Sequence, residues 1–207
     1  MNAPRLLLPL AALLLAGCAS MIAPPRGADD VFLLPTPPAA TAPGAAPLTI
    51  SLAVAMPDAT GPLDSRALLI SPQADQVQVY AGARWAERPG AMLRQRLLAA
   101  LAAQGLTRAV PADSGALTRC TLESDLDDFR AYVKGGHAGV RVVLQLRLID
   151  NASRALLAQR RFEAEAPAAG TRAGDVVEAF GSASAQVIEA TAAWTARHLR
   201  AQGSGTR

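Results

Sequence analysis

The sequence predicts an α+β fold: one antiparallel sheet with two helices packed on one of its faces, in a single domain. Three observations carry this. In residues 140–150, VRVVLQLRLID, Val140, Val142, Leu144, Leu146 and Leu148 alternate with Arg141, Gln145 and Arg147, the two-residue period of a strand with one buried face. Residues 116–133 and 154–167 flank that strand, and the connections, KGGHAG and NAS, are turn sequences that join consecutive strands into an antiparallel meander. Residues 90–103 and 171–200 instead repeat apolar side chains every three to four positions, the stripe of an amphipathic helix. Strands, helix, strands, helix is the order that a two-layer arrangement of sheet and helices satisfies.

Taken from the start, residues 1–17 open with one basic residue, Arg5, and continue as an apolar run, Leu6 to Leu15. This is the layout of a secretory signal peptide. The run is too short to cross a hydrocarbon core, which takes about 20 residues. Leu15-Ala16-Gly17-Cys18 resembles a bacterial lipobox. That resemblance implies diacylation of the Cys18 thiol, cleavage before it and acylation of the new amine. Ala19, a residue other than Asp after the cysteine, implies by the same resemblance sorting to the outer membrane.

Residues 18–30 lack periodicity and read as a lipidated cysteine with its tether. VFLLP (31–35) is a short strand closed by Pro35, and the Pro- and Ala-rich stretch 36–47 is a loop. LTISLAVAM (48–56) sets Leu48, Ile50, Leu52 and Val54 on one strand face. RALLISP (66–72) and DQVQVYAGARWAE (75–87) follow, the second with Val77 and Val79 alternating as in a half-buried strand. In the first helix, Leu93, Leu97 and Leu101 share a stripe while Arg94, Gln95 and Arg96 lie towards the other side, and Gly105 stops it. Residues 106–110 form a short strand. In 116–133, Cys120, Leu122, Ser124 and Leu126 share one face. The second helix aligns Val176, Phe180, Val187, Ala190 or Thr191, and Trp194, flanked by Val177, Ile188 and Thr195. Residues 201–207 are a polar tail. The folded domain is thus 31–200.

Twenty basic residues stand against 17 acidic ones. Cleavage before Cys18 removes only Arg5 from that balance, which is too even to point to nucleic acid. With Cys18 consumed by lipid, Cys120 has no partner for a disulfide, and its place in a strand marks it as a small buried apolar residue. His137 falls in a hairpin turn and His198 near the end of the last helix; no HExxH, CxxC or His-x-His spacing supports a metal site. KGGHAG lacks the ending of a phosphate loop and precedes a strand rather than a helix. Glu123, Asp125 and Asp127 alternate on one strand face beside Asp128, a solvated or partner-facing surface rather than a pair of acid–base carboxylates. Trp85, between Arg84 and Glu87 before the first helix, is either a hydrophobic staple or an exposed interaction anchor. The sequence supports neither a catalytic residue nor a cofactor or metal site, and the chain is read as non-enzymatic.

Several segments in order carry a family resemblance: the lipobox, FLLP, residues 63–106 with RWAE running into the Leu93–Leu101 helix, then LESDLDDFRA and VRVVLQLRLID. Across residues 31–200 the chain resembles the ABC-type transport auxiliary lipoproteins, the PqiC-like family. The resemblance implies a periplasm-facing lipoprotein of the outer membrane, an auxiliary component of a lipid transport system. Its partners would be an MCE-domain periplasmic protein and the associated inner-membrane complex, and it would form a homo-oligomeric ring. A structural or assembly lipoprotein through which no lipid passes is the alternative.

Overall fold

The computed structural model describes residues 29–36, 46–73 and 75–204. Its centre is the meander. Strand β6 (Cys120–Lys134) pairs antiparallel with β7 (His137–Asp150), and β7 with β8 (Leu156–Pro167). Gly135 and Gly136, both at positive φ (59° and 80°), close the first hairpin, and two left-handed residues in a two-residue loop match the natural twist of the strands. At the second turn the Asp150 carboxylate accepts from the Ala152 and Ser153 N–H groups and the Ser153 hydroxyl. Those bonds, the Ser153 backbone first, hold its pKa below the ordinary aspartate value.

The remaining strands are short: β1 (Asp30–Phe32), β2 (Leu52–Val54), β3 (Ala67–Ser71), β4 (Gln78–Trp85) and β5 (Ala109–Pro111). They complete an eight-stranded curled sheet in which β3 and β4 are antiparallel but β1–β4, β2–β5, β2–β6 and β3–β6 are parallel. The α+β fold with its antiparallel meander is as expected; the parallel pairs are not. Three-residue strands show no period from which a direction can be read. For β2–β5, β2–β6 and β3–β6 the direction follows from the helix α1 (Pro89–Ala103), which lies in the chain between β2–β4 and β5–β6, since a helical crossover returns the chain parallel; β1 and β4 both precede it. At 15 residues β6 is long enough to share one edge, with β2 beside Cys120–Leu122 and β3 beside Ala131 and Tyr132. Residues 55–58 run between them: Asp58 N–H donates to Ser124 O, and Asp58 O accepts from Leu126 N–H.

Helix α1 and helix α2 (Ala173–Ser204) pack on each other, and α2 lies across β7 and β8. One continuous core takes in Leu93, Leu97 and Leu101 from α1, Phe180, Val187 and Trp194 from α2, and Leu122, Leu126, Val142, Leu144, Leu146 and Leu148 from the meander. In α2, Thr191 rather than Ala190 is the buried member of the stripe. Leu48, Ile50, Leu52 and Val54 face this core as their alternation predicts, although only 52–54 form ladder bonds. Val79, by contrast, is 63% exposed. The β3–β4 register jumps from Ala67↔Arg84 to Leu69↔Val79, with Gly82 at φ 71°; Ala83 and Trp85 of β4 are buried in the core and Tyr80 packs at its edge.

Helix α1 ends as its glycine predicts. Gly105 sits at φ 87°, its N–H donates to Ala102 O, and Leu106 N–H donates back to Leu101 O. This pair of bonds caps the last carbonyls and turns Leu106 into the core. Gly105→Ala is expected to cost about 1–2 kcal/mol, the strain of a Cβ in the left-handed region, measured as a lower denaturation midpoint at unchanged slope.

Candidate functional site

The face of the sheet away from the helices carries the charge. On β6 the alternation that starts at Cys120 changes phase at a bulge between Leu126 and Asp128. The extra residue is Asp127, so Asp128 comes into register opposite Val143 and Phe129 enters the core. Each acid of the run then meets an arginine: Asp125 and Glu123 face Arg147 (2.7 and 3.6 Å), Asp127 faces Arg161 (3.8 Å) and Asp128 faces Arg130 (2.7 Å). Arg141 extends the ladder to Glu163 at 2.6 Å. The acidic run is therefore a set of cross-strand and same-strand ion pairs. Every carboxylate of the run is engaged by a guanidinium, the arrangement of a solvated or partner-facing surface.

Asp128 is the most buried acid on this face, with its side chain 8% exposed. Both of its oxygens take bonds from Arg130, at 2.7 and 2.8 Å, and the other arm of Arg130 reaches the Ser71 hydroxyl at 3.3 Å. The Asp128 bond raises the Arg130 pKa. Beside this group lies an open cleft of about 460 Å³, walled by Ser71, Asp128, Arg130, Tyr132, Arg141 and Glu165. The Tyr132 ring lies flat across Gly139, where a Cβ would come within 2.6 Å of it, and its hydroxyl donates to Glu165 at 3.1 Å. Burial first, then Glu165, pushes that hydroxyl's pKa up. Sequence reasoning missed Ser71, Arg130, Tyr132 and Arg141 as a group. Only the bulge turns Asp128 and Arg130 from the core side, where the phase of Cys120–Leu126 would put them, to the outer face, and a bulge leaves no mark in the periodicity.

A second built feature holds the start of the domain. Leu34 is buried, and the carbonyls of Leu34 and Pro35 and the Thr36 hydroxyl all accept from the Arg96 guanidinium of α1. On the other side Pro35 rests against Gly181 of α2, where a Cβ would meet Pro35 Cβ at 2.9 Å. Arg96 is thus turned inward from the position its helical stripe predicts, and burial lowers its pKa. Arg96→Ala leaves these carbonyls without their donor; limited proteolysis is expected to cut within 30–36 faster, while the α2–meander core keeps its hydrogen-exchange protection.

The other singled-out residues are structural. Trp85 is fully buried, so it is neither an exposed anchor nor available to a partner. Cys120 is buried and free, and burial, with Asp150 adding to it, raises its thiol pKa. His137 opens β7 at the turn, and His198 contacts the Trp194 carbonyl at 3.0 Å and the Trp194 ring. Among the described residues no three His, Cys, Asp or Glu side chains gather where a metal ion would sit, and no helix is long and apolar enough to cross a membrane. Cys18, the lipid-attachment residue expected from the sequence, lies outside the described residues.

The fold has counterparts. A crystal structure from Xanthomonas campestris, assigned to the family DUF330, superposes with a TM-score of 0.77 at 23% identity over 86% of this chain and 99% of that one. A second crystal structure, of an uncharacterized protein, gives 0.63 at 18% identity over 83% and 99%. At these identities the likeness speaks for the fold. No curated protein matches the sequence significantly. The sequence pattern of the ABC-type transport auxiliary lipoprotein component matches residues 32–192, a span that runs from the last residue of β1 through the Arg96-held segment and the charged meander to well within α2. The chain belongs to that family of auxiliary lipoproteins of ABC-type transport.

Proposed function

We propose that the protein is a lipid-anchored, non-enzymatic auxiliary component of an MCE-type lipid transport system, held at the outer membrane through Cys18 and facing the periplasm. The observation that carries this reading is the family match over 32–192 standing behind a lipobox at Leu15–Cys18. The packed core supports a docking role over a carrying one. Trp85, Phe129 and Phe180 fill the space between sheet and helices, which leaves an acyl chain no room within the domain. The partner is an MCE-domain periplasmic protein with its inner-membrane complex, bound by a homo-oligomer of this chain. The test is mild crosslinking in cells followed by purification of the tagged full-length protein, together with an outer-membrane integrity assay in a deletion strain. Capture of an MCE protein and detergent sensitivity on deletion are expected. No MCE partner, with unchanged sensitivity and lipid distribution, would favour the structural or assembly lipoprotein instead.

A further inference from the structure

We propose that the cleft beside Arg130 and Arg141 is a binding site for a phosphate ester. The argument begins with a like-charge pair. Arg130 and Arg141 stand directly opposite each other on β6 and β7, a cross-strand arrangement that is repulsive unless something negative lies between or beside the two. Each is only partly answered. Asp128 takes the Nε and one arm of Arg130. Glu163 takes one arm of Arg141, but Glu165 stops 4.0 Å from its Nε. That Nε is shielded from solvent and has no hydrogen-bond partner, so Glu165 does not neutralise the guanidinium, which keeps positive charge at the wall of an otherwise open cleft. An anion in the cleft meets the guanidinium arms rather than the shielded Nε, and its charge offsets the repulsion between the two arginines.

The lining selects among anions. Lys134, the chain's one lysine, also borders the cleft and has no ion-pair partner among the described residues. Three cations from different directions suit a tetrahedral oxyanion, whereas a planar carboxylate is matched by one guanidinium fork. The Tyr132 ring and Val133, 37% exposed, offer an apolar wall for the organic part of an ester. Two sources share this chemistry, a phospholipid headgroup and a soluble phosphate. The inference stands apart from the identity of the transport partner.

The test uses the full-length mature protein in a nonionic detergent, titrated at constant ionic strength with inorganic phosphate, with dihexanoyl phosphatidylglycerol, and with chloride as control. The arginine Nε–H resonances are read by NMR. Both phosphate probes are expected to move the Arg141 Nε–H signal saturably, and chloride is not. Loss of one charge-assisted bond in Arg141→Gln should weaken binding about tenfold or more. Lys134→Gln, at an exposed turn, should weaken it without altering the thermal midpoint, which separates binding from folding. Tighter binding of the short-chain lipid than of inorganic phosphate identifies a headgroup site, and equal binding a soluble phosphate. An Arg141 signal that does not respond to either probe, or equal affinity in Lys134→Gln and wild type, would overturn the proposal.

Discussion

Trp85→Ala is expected to lower the unfolding free energy by about 3–5 kcal/mol, the usual cost of removing a large aromatic side chain from a core. Trp85 closes β4 and is fully buried. Its ring meets Phe129 of β6 at 5.6 Å and Phe180 of α2 at 5.3 Å, both edge-on, while Phe129 and Phe180 stack at 4.5 Å. Three elements distant in sequence are joined by this one cluster, so a cavity there cannot be filled by the movement of one neighbour. The indole N–H has no hydrogen-bond partner, so its removal returns a little of that cost. Trp85→Phe keeps most of the packing and sheds the orphan donor, and should cost less than about 1.5 kcal/mol. Denaturant unfolding followed by circular dichroism distinguishes the two variants. A loss below about 1 kcal/mol for Trp85→Ala, against the 5–15 kcal/mol typical of a whole domain, would mean that the cluster does not hold β4 to α2.

How much of this was legible in the sequence depends on the length of the signal. The β7 strand shows five alternating aliphatic residues, and α2 repeats its stripe over many turns. Both emerged as read, because a long period averages out local exceptions. The clamp at Leu34–Thr36 did not. Arg96 sits on the side of α1 that a stripe of leucines assigns to solvent, and only the fold brings two backbone carbonyls to it. The polar face was half legible. Glu123 and Asp125 were rightly placed on an outward surface, but which arginine each acid of the run meets, Arg147 for these two, Arg161 for Asp127 and Arg130 for Asp128, is set by strand register and a bulge that no local pattern encodes. Trp85 admits an anchor reading beside the staple reading because it stands among charged residues in sequence. In the fold, Arg84 and Trp85 point to opposite sides of one strand, and the charge of the one says nothing about the burial of the other.

Cys18→Ala is expected to move the protein from the membrane fraction to the soluble periplasmic fraction and to abolish incorporation of labelled palmitate. The motif, Leu15-Ala16-Gly17-Cys18 after a short apolar run, implies several acyl chains on one residue. A single myristoyl chain binds a bilayer with a constant of only about 10⁴ M⁻¹, and each further buried CH₂ adds about 0.8 kcal/mol, so multiple chains make the attachment stable. Nothing in the described fold depends on Cys18: the first strand begins at Asp30, and the segment after it is held by Arg96 and Gly181. The thermal midpoint of the variant should therefore match that of the wild-type domain, which separates loss of the anchor from loss of folding. The chain between Cys18 and Asp30 can extend at most about 3.6 Å per residue, so a lipid anchor at Cys18 would hold the domain within a few tens of Å of the bilayer. If the unlabelled variant still sediments with membranes, and low-salt washes retain it while high-salt washes release it, the holding force is charge on the domain surface. In that case the anchor at Cys18 is not what places this protein at the membrane.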